Sequence, residues 1–292
     1  MRVLVTGGSG RLGGSVLDEL ADAGNETVCV DTQQSSGRSG RSVFPADLTD
    51  PGDCYSTIAH FRPDAIVHLA AIPAPFLRSE IETFRTNSAL AFNVCQAAHD
   101  LGVGTVLVAS SPTVMGYGNT GGWRPEYLPF DEEHPVAPWN SYTLSKTSAE
   151  EIVRGFASRG SGVFHSFRPC FVVAPADWEG APIQDGSTIH NRLNKPELAA
   201  ASLFNYVDAR DAAEFVRMLL EQGGRIPNGQ TFFVTGPDAL AREPLSELLP
   251  RHTPVPAETA GGLTGTRPAF DCGKAQRLLG WHPRRSWHTE LS

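Results

Sequence analysis

Cysteine is scarce in this sequence, and no two cysteines form a Cys-x-x-Cys pair. The five cysteines among 292 residues are odd in number and widely separated along the chain. A disulfide framework or a zinc site would need cysteines paired at short spacing, so the sequence favours neither. We therefore expect a protein of the reducing cytoplasm that holds no metal.

Long apolar runs are missing as well. No stretch of about 18 uninterrupted apolar residues occurs, which is roughly the length that a membrane-spanning helix needs. The first residues also lack the charged leader and the cleavage site of an export signal. We expect neither export nor a membrane partner.

Basic residues are in deficit. The chain has 24 Lys and Arg against 32 Asp and Glu, a formal net charge of −8 at pH 7, and the basic residues form no stripe. A nucleic-acid backbone would need such a stripe, so we expect a small-molecule partner and no nucleic acid.

What the sequence does contain is an alternation of short apolar runs with longer segments of helical period. This alternation is typical of a doubly wound α/β fold with a parallel sheet. The predicted strands are Arg2–Thr6, Thr27–Val30, Ala65–Leu69, Thr105–Ala109, Val163–Phe167 and Thr231–Thr235. The predicted helices are Leu12–Ala23, Tyr55–Phe61, Phe84–Leu101, Tyr142–Ala157, Asp208–Glu221 and Gly273–Leu279. Residues 174–203 carry no clear period and are predicted to be irregular.

Three glycines stand between the first predicted strand and the first predicted helix. Gly7, Gly10 and Gly13 form a Gly-x-x-Gly-x-x-Gly pattern, one residue longer than the Gly-x-Gly-x-x-Gly dinucleotide fingerprint. Without side chains, the backbone could approach a pyrophosphate at the helix N-terminus. A flexible turn without a ligand would explain the glycines alone equally well.

Asp31 ends the second predicted strand, close to the offset at which an acid binds the ribose hydroxyls of NAD. A carboxylate there repels a 2′-phosphate, so we predict NAD. Arg38 and Arg41 follow in a polar loop and leave NADP possible. Asp31 could also be a turn former at a strand end.

Tyr142 and Lys146 lie four residues apart in a predicted helix and therefore project from one face. An ammonium together with a positive nicotinamide ring would lower the pKa of the tyrosine and favour proton transfer. Ser110 and Ser111 follow the predicted strand Thr105–Ala109, at the edge where open α/β sheets bind ligands. A Tyr and a Lys at this spacing on an amphipathic surface helix remain the simpler interpretation of that pair taken alone.

These motifs together resemble the extended short-chain dehydrogenase/reductase family, in its NAD-dependent epimerase/dehydratase group. The motifs that carry the resemblance are TGGSGRLG, ADLTD, HLAA, ASSPTVMG, YTLSK, FRP, NYVDARDAAEF and KAQRLLGWHP. The resemblance implies a Rossmann-type dinucleotide-binding domain over residues 1–169. It implies a substrate-binding region over residues 170–292, with Tyr206–Glu221 and Thr231–Thr235 packing back on the Rossmann core.

The resemblance also implies roles for individual residues. Tyr142 resembles the acid/base, Lys146 the residue that lowers its pKa, and Ser111, with Ser110 as the fallback, the active-site hydroxyl. The implied cofactor-binding residues are Gly7, Gly10, Arg11, Leu12, Gly13, Asp31, Asp47, Leu48, Leu69, Ala70, Ala71, Asn87, Tyr142, Lys146 and Pro169. Any of them, Asn87 above all, could instead be a core or capping residue. Family members often dimerise through helices that correspond to Phe84–Leu101 and Tyr142–Ala157, so we expect a homodimer.

The resemblance leaves three reactions to weigh. Pro112 and Thr113 stand where dehydratases of the family carry an Asp-Glu pair, which disfavours dehydration. The segment from Arg168 to Tyr206 is short for wrapping a nucleotide. We therefore predict an NAD-dependent oxidoreductase that acts on a secondary alcohol or carbonyl of a sugar or uronate. The alternative is a nucleotide-sugar 4-epimerase, and a third possibility is a non-catalytic dinucleotide sensor.

Substrate contacts are predicted from polar and aromatic residues near the expected pocket, although surface loops would account for most of them. The candidates are Pro112, Thr113, Trp123, His190, Arg192 and Asn205. Trp123 lies in the aromatic segment 117–138, which could stack on a nucleotide, cover a small substrate, or simply pack under a long loop. Arg168, in the FRP segment, could simply end a strand.

Overall fold

The fold is taken from a computed structural model of the chain, which describes residues 1–32, 42–119 and 121–291. The two arginines that left NADP possible, Arg38 and Arg41, lie outside the described residues.

The described residues form a seven-stranded sheet and a separate two-stranded sheet. The strands are β1 (Arg2–Thr6), β2 (Glu26–Asp31), β3 (Val43–Pro45), β4 (Ala65–His68), β5 (Thr105–Ala109), β6 (Val163–Pro169), β7 (Val172–Val173), β8 (Val207–Asp208) and β9 (Thr231–Val234). The large sheet has the order β3-β2-β1-β4-β5-β6-β9, and β7 pairs with β8. The neighbouring pairs from β3 to β6 are parallel. The predicted doubly wound α/β sheet is confirmed.

Helices connect these strands and complete the second half of the chain. They are α1 (Arg11–Asp22), α2 (Pro51–Phe61), α3 (Glu80–Asp100), α4 (Ser141–Ala157), α5 (Pro175–Trp178), α6 (Ile189–Asn194), α7 (Glu197–Ala200), α8 (Ala209–Gln222), α9 (Leu245–His252), α10 (Ala257–Ala260), α11 (Gly273–Leu279) and α12 (Trp287–Glu290). Short 3-10 turns occupy Pro112–Met115 and Gly223–Arg225.

Residues 174–203, predicted to be irregular, contain three short helices. The helices α5, α6 and α7 span only four to six residues each. A helix of one turn does not repeat an apolar position often enough to produce a visible period, so sequence pattern alone could not reveal them.

The chain divides into two compact units. The first comprises Met1–Ser111, Trp139–Arg168 and Ala213–Thr231, and the second comprises Pro112–Pro138, Pro169–Ala212 and Phe232–Ser292. The units alternate along the chain, and Ala213–Thr231 belongs to the first of them. The boundary after residue 169, with Tyr206–Glu221 and Thr231–Thr235 packing back on the Rossmann core, stays a prediction.

The first unit is organised around the sheet and the helices α3 and α4, whose apolar residues share one buried cluster with the strands. The second unit has a cluster of its own, which includes Trp178, Ile189, Tyr206 and Trp287.

The carboxyl ends of the central strands lie at one edge of the sheet. Thr6 pairs with His68, and His68 pairs with Val108 in the next strand. The helix α4 begins beside this edge with a capping box, in which the Asn140 Oδ1 accepts from the Thr143 backbone N–H at 2.9 Å. This cap fixes where the helix starts and so places Tyr142 in its first turn.

Candidate active site

The glycine turn after β1 has no room for side chains. Gly7 has a φ of +68°, and a Cβ added there would lie 2.7 Å from the backbone nitrogen of Ala70. A Cβ on Gly13 would lie 2.5 Å from the Gly7 carbonyl oxygen, and one on Gly10 would lie 3.1 Å from the same oxygen. The turn is therefore packed against the segment after β4 and against the start of α1.

The N-terminus of α1 emerges from this turn. Its N-cap is Gly10, which has no side chain to accept from the first backbone N–H groups of the helix. Those groups need an acceptor, and a helix N-terminus without a side-chain cap is suited to an anion such as a pyrophosphate. Because Gly7 and Gly13 leave no space for a Cβ, the turn exposes bare backbone next to these N–H donors. This arrangement fits the pyrophosphate of a dinucleotide. Arg11 and the buried Leu12 open the helix beside Gly13.

Asp31 lies at the end of β2, next to the glycine turn. Its Oδ2 accepts from the backbone N–H of Ser9 at 3.3 Å, and its Oδ1 accepts from that of Thr32 at 2.8 Å. These two donors orient the carboxylate at the edge of the sheet. Each carboxylate oxygen has two lone pairs, so both oxygens keep capacity for the hydroxyls of a ribose.

The remaining predicted cofactor residues lie on segments that follow the strands. The Oδ1 of Asp47 accepts from both the N–H and the hydroxyl of Thr49, at 3.0 and 2.7 Å, and Leu48 between them is buried. Leu69, Ala70 and Ala71 directly follow β4 and are half-buried. Pro169 is the last residue of β6 and belongs to the second unit.

The side chain of Asn87, buried on α3, fixes the backbone after β4. Its Oδ1 accepts from the Ile72 N–H at 2.8 Å, and its Nδ2 donates to the Ile72 carbonyl and to the Ser145 hydroxyl, both at 3.2 Å. Asn87 therefore holds the loop that continues from Ala71 against α3 and α4. A contact to a cofactor would come in addition to this supporting role.

The three predicted catalytic side chains are brought together in the first unit, and all three are buried. Ser111 makes a side-chain hydrogen bond to Tyr142. The Lys146 ammonium donates to the Ala109 carbonyl at 2.8 Å and lies 5.9 Å from the centre of the Tyr142 ring. Ser110 points elsewhere, since its hydroxyl donates to Glu150 at 2.6 Å. Of the two serines considered from the sequence, Ser111 is the one that contacts Tyr142.

Burial dominates the acid–base properties of this group. Desolvation raises the pKa of Tyr142 to about 12, although the Ser111 hydrogen bond acts in the opposite direction. Desolvation also lowers the pKa of Lys146 to about 8, against the effect of the negative charge of Glu150. The protein alone thus keeps Tyr142 as a phenol at neutral pH. The predicted lowering of the tyrosine pKa therefore depends on positive charge beyond that of the protein, which a nicotinamide ring would bring.

Sequence reasoning gave His68 no role, yet this residue lies at the centre of the edge. Its Nδ1 is 2.7 Å from the Thr6 hydroxyl oxygen, which also accepts from the Ala70 N–H at 3.2 Å. Burial, and secondarily the charge of Lys146, lowers the pKa of His68 to about 3, so the ring is neutral. His68 therefore links the ends of β1 and β4 without adding charge. Its position just before Leu69 was the available signal.

A buried ion pair was also missed. The Glu150 carboxylate accepts from the Nε and Nη2 of Arg168, both at 2.8 Å, and the two side chains are almost fully buried. Arg168 does not merely end β6, because its guanidinium pairs with α4. The signal was the spacing of Tyr142, Lys146 and Glu150, which repeats every four residues along one helix face.

The candidate substrate residues belong to the second unit. Pro112 and Thr113 form the start of a 3-10 turn. The Trp123 indole donates to the Met115 carbonyl at 2.8 Å and stacks on Phe130. These contacts show Trp123 packing its own loop.

Arg192 and Asn205 meet at Phe171, while His190 is exposed on α6. The Arg192 guanidinium lies 4.4 Å from the centre of the Phe171 ring and pairs with Asp185 at 3.0 Å. The Asn205 Oδ1 accepts from the Phe171 N–H at 2.8 Å. The Asn205 side chain therefore fixes the backbone at Phe171, the residue before β7. A contact between Asn205 and a substrate stays a prediction.

Within residues 1–32, 42–119 and 121–291, no cluster of three or more His, Cys, Asp or Glu could hold a metal ion. No helix in that part of the chain combines the length and the apolar character needed to cross a membrane.

The comparison with known families agrees with this geometry. The sequence model described as "NAD dependent epimerase/dehydratase family" matches residues 3–234. The chain belongs to this family. This match confirms the family resemblance that the motifs indicated. The description of the family also names NAD, which is the predicted cofactor.

Curated relatives of this epimerase/dehydratase family member include several UDP-glucose 4-epimerases. The one from Azospirillum brasilense is 32% identical over 193 residues, which cover 61% of this chain and 51% of the relative. The one from Mycolicibacterium smegmatis is 27% identical over 317 residues, which cover 97% of this chain and 94% of the relative. For several others, such as that of Bacillus subtilis at 47%, the chain spans about half of the relative's length.

Solved structures support the fold. A short-chain dehydrogenase/reductase superfamily protein from Agrobacterium tumefaciens with bound NAD aligns with a TM-score of 0.73 at 22% identity, covering 100% of this chain and 95% of that one. UDP-glucose 4-epimerase from Brucella ovis in complex with NAD also gives 0.73, at 21% identity and with coverage of 99% and 96%. At these identities the likeness concerns the fold of the family alone.

Proposed function

We propose that the protein is an NAD-dependent 4-epimerase of a nucleotide sugar. Within the first unit, the proposal rests on the buried group of Ser111, Tyr142 and Lys146. The observation that carries the choice of reaction is the UDP-glucose 4-epimerase of M. smegmatis, which aligns over nearly the full length of both chains. This alignment weakens the argument that the segment from Arg168 to Tyr206 is too short for a nucleotide-linked substrate.

The proposed roles follow from the contacts. NAD, when bound, supplies the carbon that accepts a hydride from the sugar and returns it. The Tyr142 oxygen takes the proton of the sugar hydroxyl and gives it back, while Ser111 holds that oxygen in place through its hydrogen bond. The Lys146 ammonium, anchored on the Ala109 carbonyl, favours the phenolate form of Tyr142.

The first turn of α1, the glycine turn before it and Asp31 at the end of β2 would hold the cofactor. The first turn of α1 offers N–H donors to the pyrophosphate, and the absence of side chains at Gly7 and Gly13 lets the backbone come close to it. The oriented carboxylate of Asp31 would bind the ribose hydroxyls and disfavour a 2′-phosphate.

The test is a product balance. We expect the purified protein with NAD to interconvert UDP-glucose and UDP-galactose, with no net gain of absorbance at 340 nm. A protein that leaves both nucleotide sugars unchanged, under conditions where it binds NAD, would contradict the epimerase assignment.

A second candidate is the oxidoreductase that the sequence favoured, acting on a free sugar or uronate. The observation that favours it is the segment from Arg168 to Tyr206, which is short for wrapping a nucleotide. This candidate predicts stoichiometric accumulation of NADH with a free sugar or uronate, so the same assay separates the two.

We further propose that the protein acts as a homodimer in a reducing compartment such as the cytoplasm. Large apolar side chains on α3 and α4 stay exposed in the single chain, with Ile81 82%, Phe84 42% and Leu144 45% exposed. None of the five cysteines, all of which lie in the described part of the chain, forms a disulfide, which supports a reducing environment.

A further inference from the structure

Glu150 is a buried acid outside the three residues to which the reaction is ascribed. It is 1% exposed, and its Oε1 accepts from the Ser110 hydroxyl at 2.6 Å and from the Arg168 Nε at 2.8 Å. Its Oε2 accepts from the Arg168 Nη2 at 2.8 Å. The guanidinium of Arg168 therefore forms a bidentate ion pair with the carboxylate of Glu150. This geometry fixes the orientation of both groups.

Such a pair is not explained by stability alone. Two charges removed from water lose solvation that their attraction barely returns, and apolar residues of the same volume often stabilise a core as well or better. The location of the pair is more informative. Glu150 lies four residues after Lys146 and eight after Tyr142 on α4, and its partner Ser110 precedes Ser111.

The charges around Lys146 come from four elements of the first unit. β4 contributes His68, which is neutral. α4 contributes Tyr142, which is a phenol, and the carboxylate of Glu150. β6 contributes Arg168, which is paired with Glu150. The end of β5 contributes the Ala109 carbonyl, to which the ammonium donates. Among these groups Glu150 carries the negative charge.

We propose that Glu150 is a positioning residue: its carboxylate, fixed by Arg168 and Ser110, keeps the Lys146 ammonium charged beside Tyr142. The inference rests on the proposed function in that Lys146 serves Tyr142. Burial lowers the pKa of Lys146 to about 8, and the Glu150 charge opposes that fall. Without the carboxylate, Lys146 would lose its proton closer to neutral pH and would no longer favour the phenolate.

The sequence makes a direct measurement practical, since it contains three lysines, Lys146, Lys195 and Lys274. The full chain is labelled with ε-¹³C-lysine, and the signals are assigned with K195R and K274R. The Lys146 signal is then followed against pH by NMR, without cofactor or substrate. In E150Q we expect its midpoint to fall by about one pH unit or more. A folded E150Q with an unchanged midpoint would overturn the inference.

The matched variant is R168K, which keeps a cation behind Glu150. We expect its Lys146 midpoint to stay close to that of the wild type, so that a fall in E150Q does not come from a disturbance of the pair alone. Should E150Q fail to fold, the double variant E150M/R168M decides, because apolar residues of similar volume often keep a core folded. A lower Lys146 midpoint in the double variant supports the inference, and an unchanged or higher one overturns it. In E150D, which keeps the negative charge, the midpoint of Lys146 should lie close to that of the wild type.

Activity gives the second readout. The rate should decline at high pH as Lys146 loses its proton, and in E150Q this decline should start about one pH unit lower, whereas E150D restores it. A wild-type protein that transfers no hydride would contradict the proposed function and leave the NMR result to decide the role of Glu150. An active wild type whose pH profile is the same in E150Q would contradict the role of Glu150 alone.

Discussion

Tyr142 is the residue on which the proposed chemistry depends most directly. Its side chain is buried, hydrogen-bonded to Ser111 and close to Lys146. In Tyr142→Phe the ring still fills its space, but no oxygen remains to exchange a proton. We expect the rate of epimerisation to fall by about 10² to 10⁴, while NAD binding, measured by calorimetry, changes little. A variant that epimerises as fast as the wild type would contradict the acid/base role of Tyr142, whereas a wild type that binds NAD and transfers no hydride would favour a non-catalytic dinucleotide sensor.

Asp31 sets the expected choice between NAD and NADP. Its carboxylate is oriented by the backbone N–H groups of Ser9 and Thr32, so Asp31→Asn preserves size but removes the negative charge. A hydrogen bond to a charged group contributes about 1.5 to 3 kcal/mol, so the Kd for NAD should rise about tenfold or more. The Kd for NADP should fall, because the repulsion of the 2′-phosphate is gone. A ratio of the two constants equal to that of the wild type would contradict the assignment.

At the scale of elements, α1 and its glycine turn offer a matched pair of substitutions. A Cβ on Gly13 would meet the Gly7 oxygen at 2.5 Å and the Gly8 Cα at 2.6 Å, whereas a Cβ on Gly14 has nothing within 4 Å. Both residues lie in the first turns of α1. Gly13→Ala should therefore destabilise the protein by about 1 to 3 kcal/mol through overpacking and should weaken NAD binding strongly.

Gly14→Ala is the control for that substitution. Alanine is favoured over glycine within a helix by up to about 1 kcal/mol, so this variant should be more stable and should bind NAD as the wild type does. Urea denaturation and calorimetry measure both effects. If the two variants behaved alike, the close packing of the turn would not be the reason for glycine at position 13.

The elements that the sequence predicted well are those whose packing follows from local pattern. The strands β1 and β5 match their predicted bounds, because an apolar run covered on both faces has a clear beginning and end. In contrast, β3 is three residues long and was missed, since its short VFP segment has no pattern of its own. The strand exists because it pairs with β2, a contact distant in sequence.

The same distinction applies to the candidate site. The spacing of Tyr142 and Lys146 is local to one helix, so the sequence could place the two side chains on one face. The same spacing places Glu150 on that face, but its pairing with Arg168 joins a helix to a strand across the core, and no local pattern identifies this partner. Likewise, the sequence could not separate Ser110 from Ser111 by geometry, because their directions depend on how β5 meets α4.

At the scale of the whole molecule, the division into two compact units also depends on contacts that no local pattern reports. Residues 112–138 belong to the second unit although helix α4 of the first unit follows them. The sequence predicted that Tyr206–Glu221 and Thr231–Thr235 pack back on the Rossmann core, but no local pattern set residues 112–138 apart from the segments on either side of them. Membership of a compact unit depends instead on contacts between segments far apart in the chain, as between Tyr206 and Trp287 in the second unit.

The last prediction concerns the proposed dimer. Ile81 on α3 is 82% exposed, and burying such a side chain against a second copy would remove apolar surface from water. We expect the wild type to be a dimer and Ile81→Glu to be a monomer in light scattering coupled to size exclusion, because the new carboxylate would be buried against its own copy. The control is Leu278→Glu, which introduces the same charge at a 37% exposed apolar residue that belongs to α11 and not to α3 or α4. A monomeric wild type, or an Ile81→Glu variant that stays dimeric, would show that these helices do not form the interface.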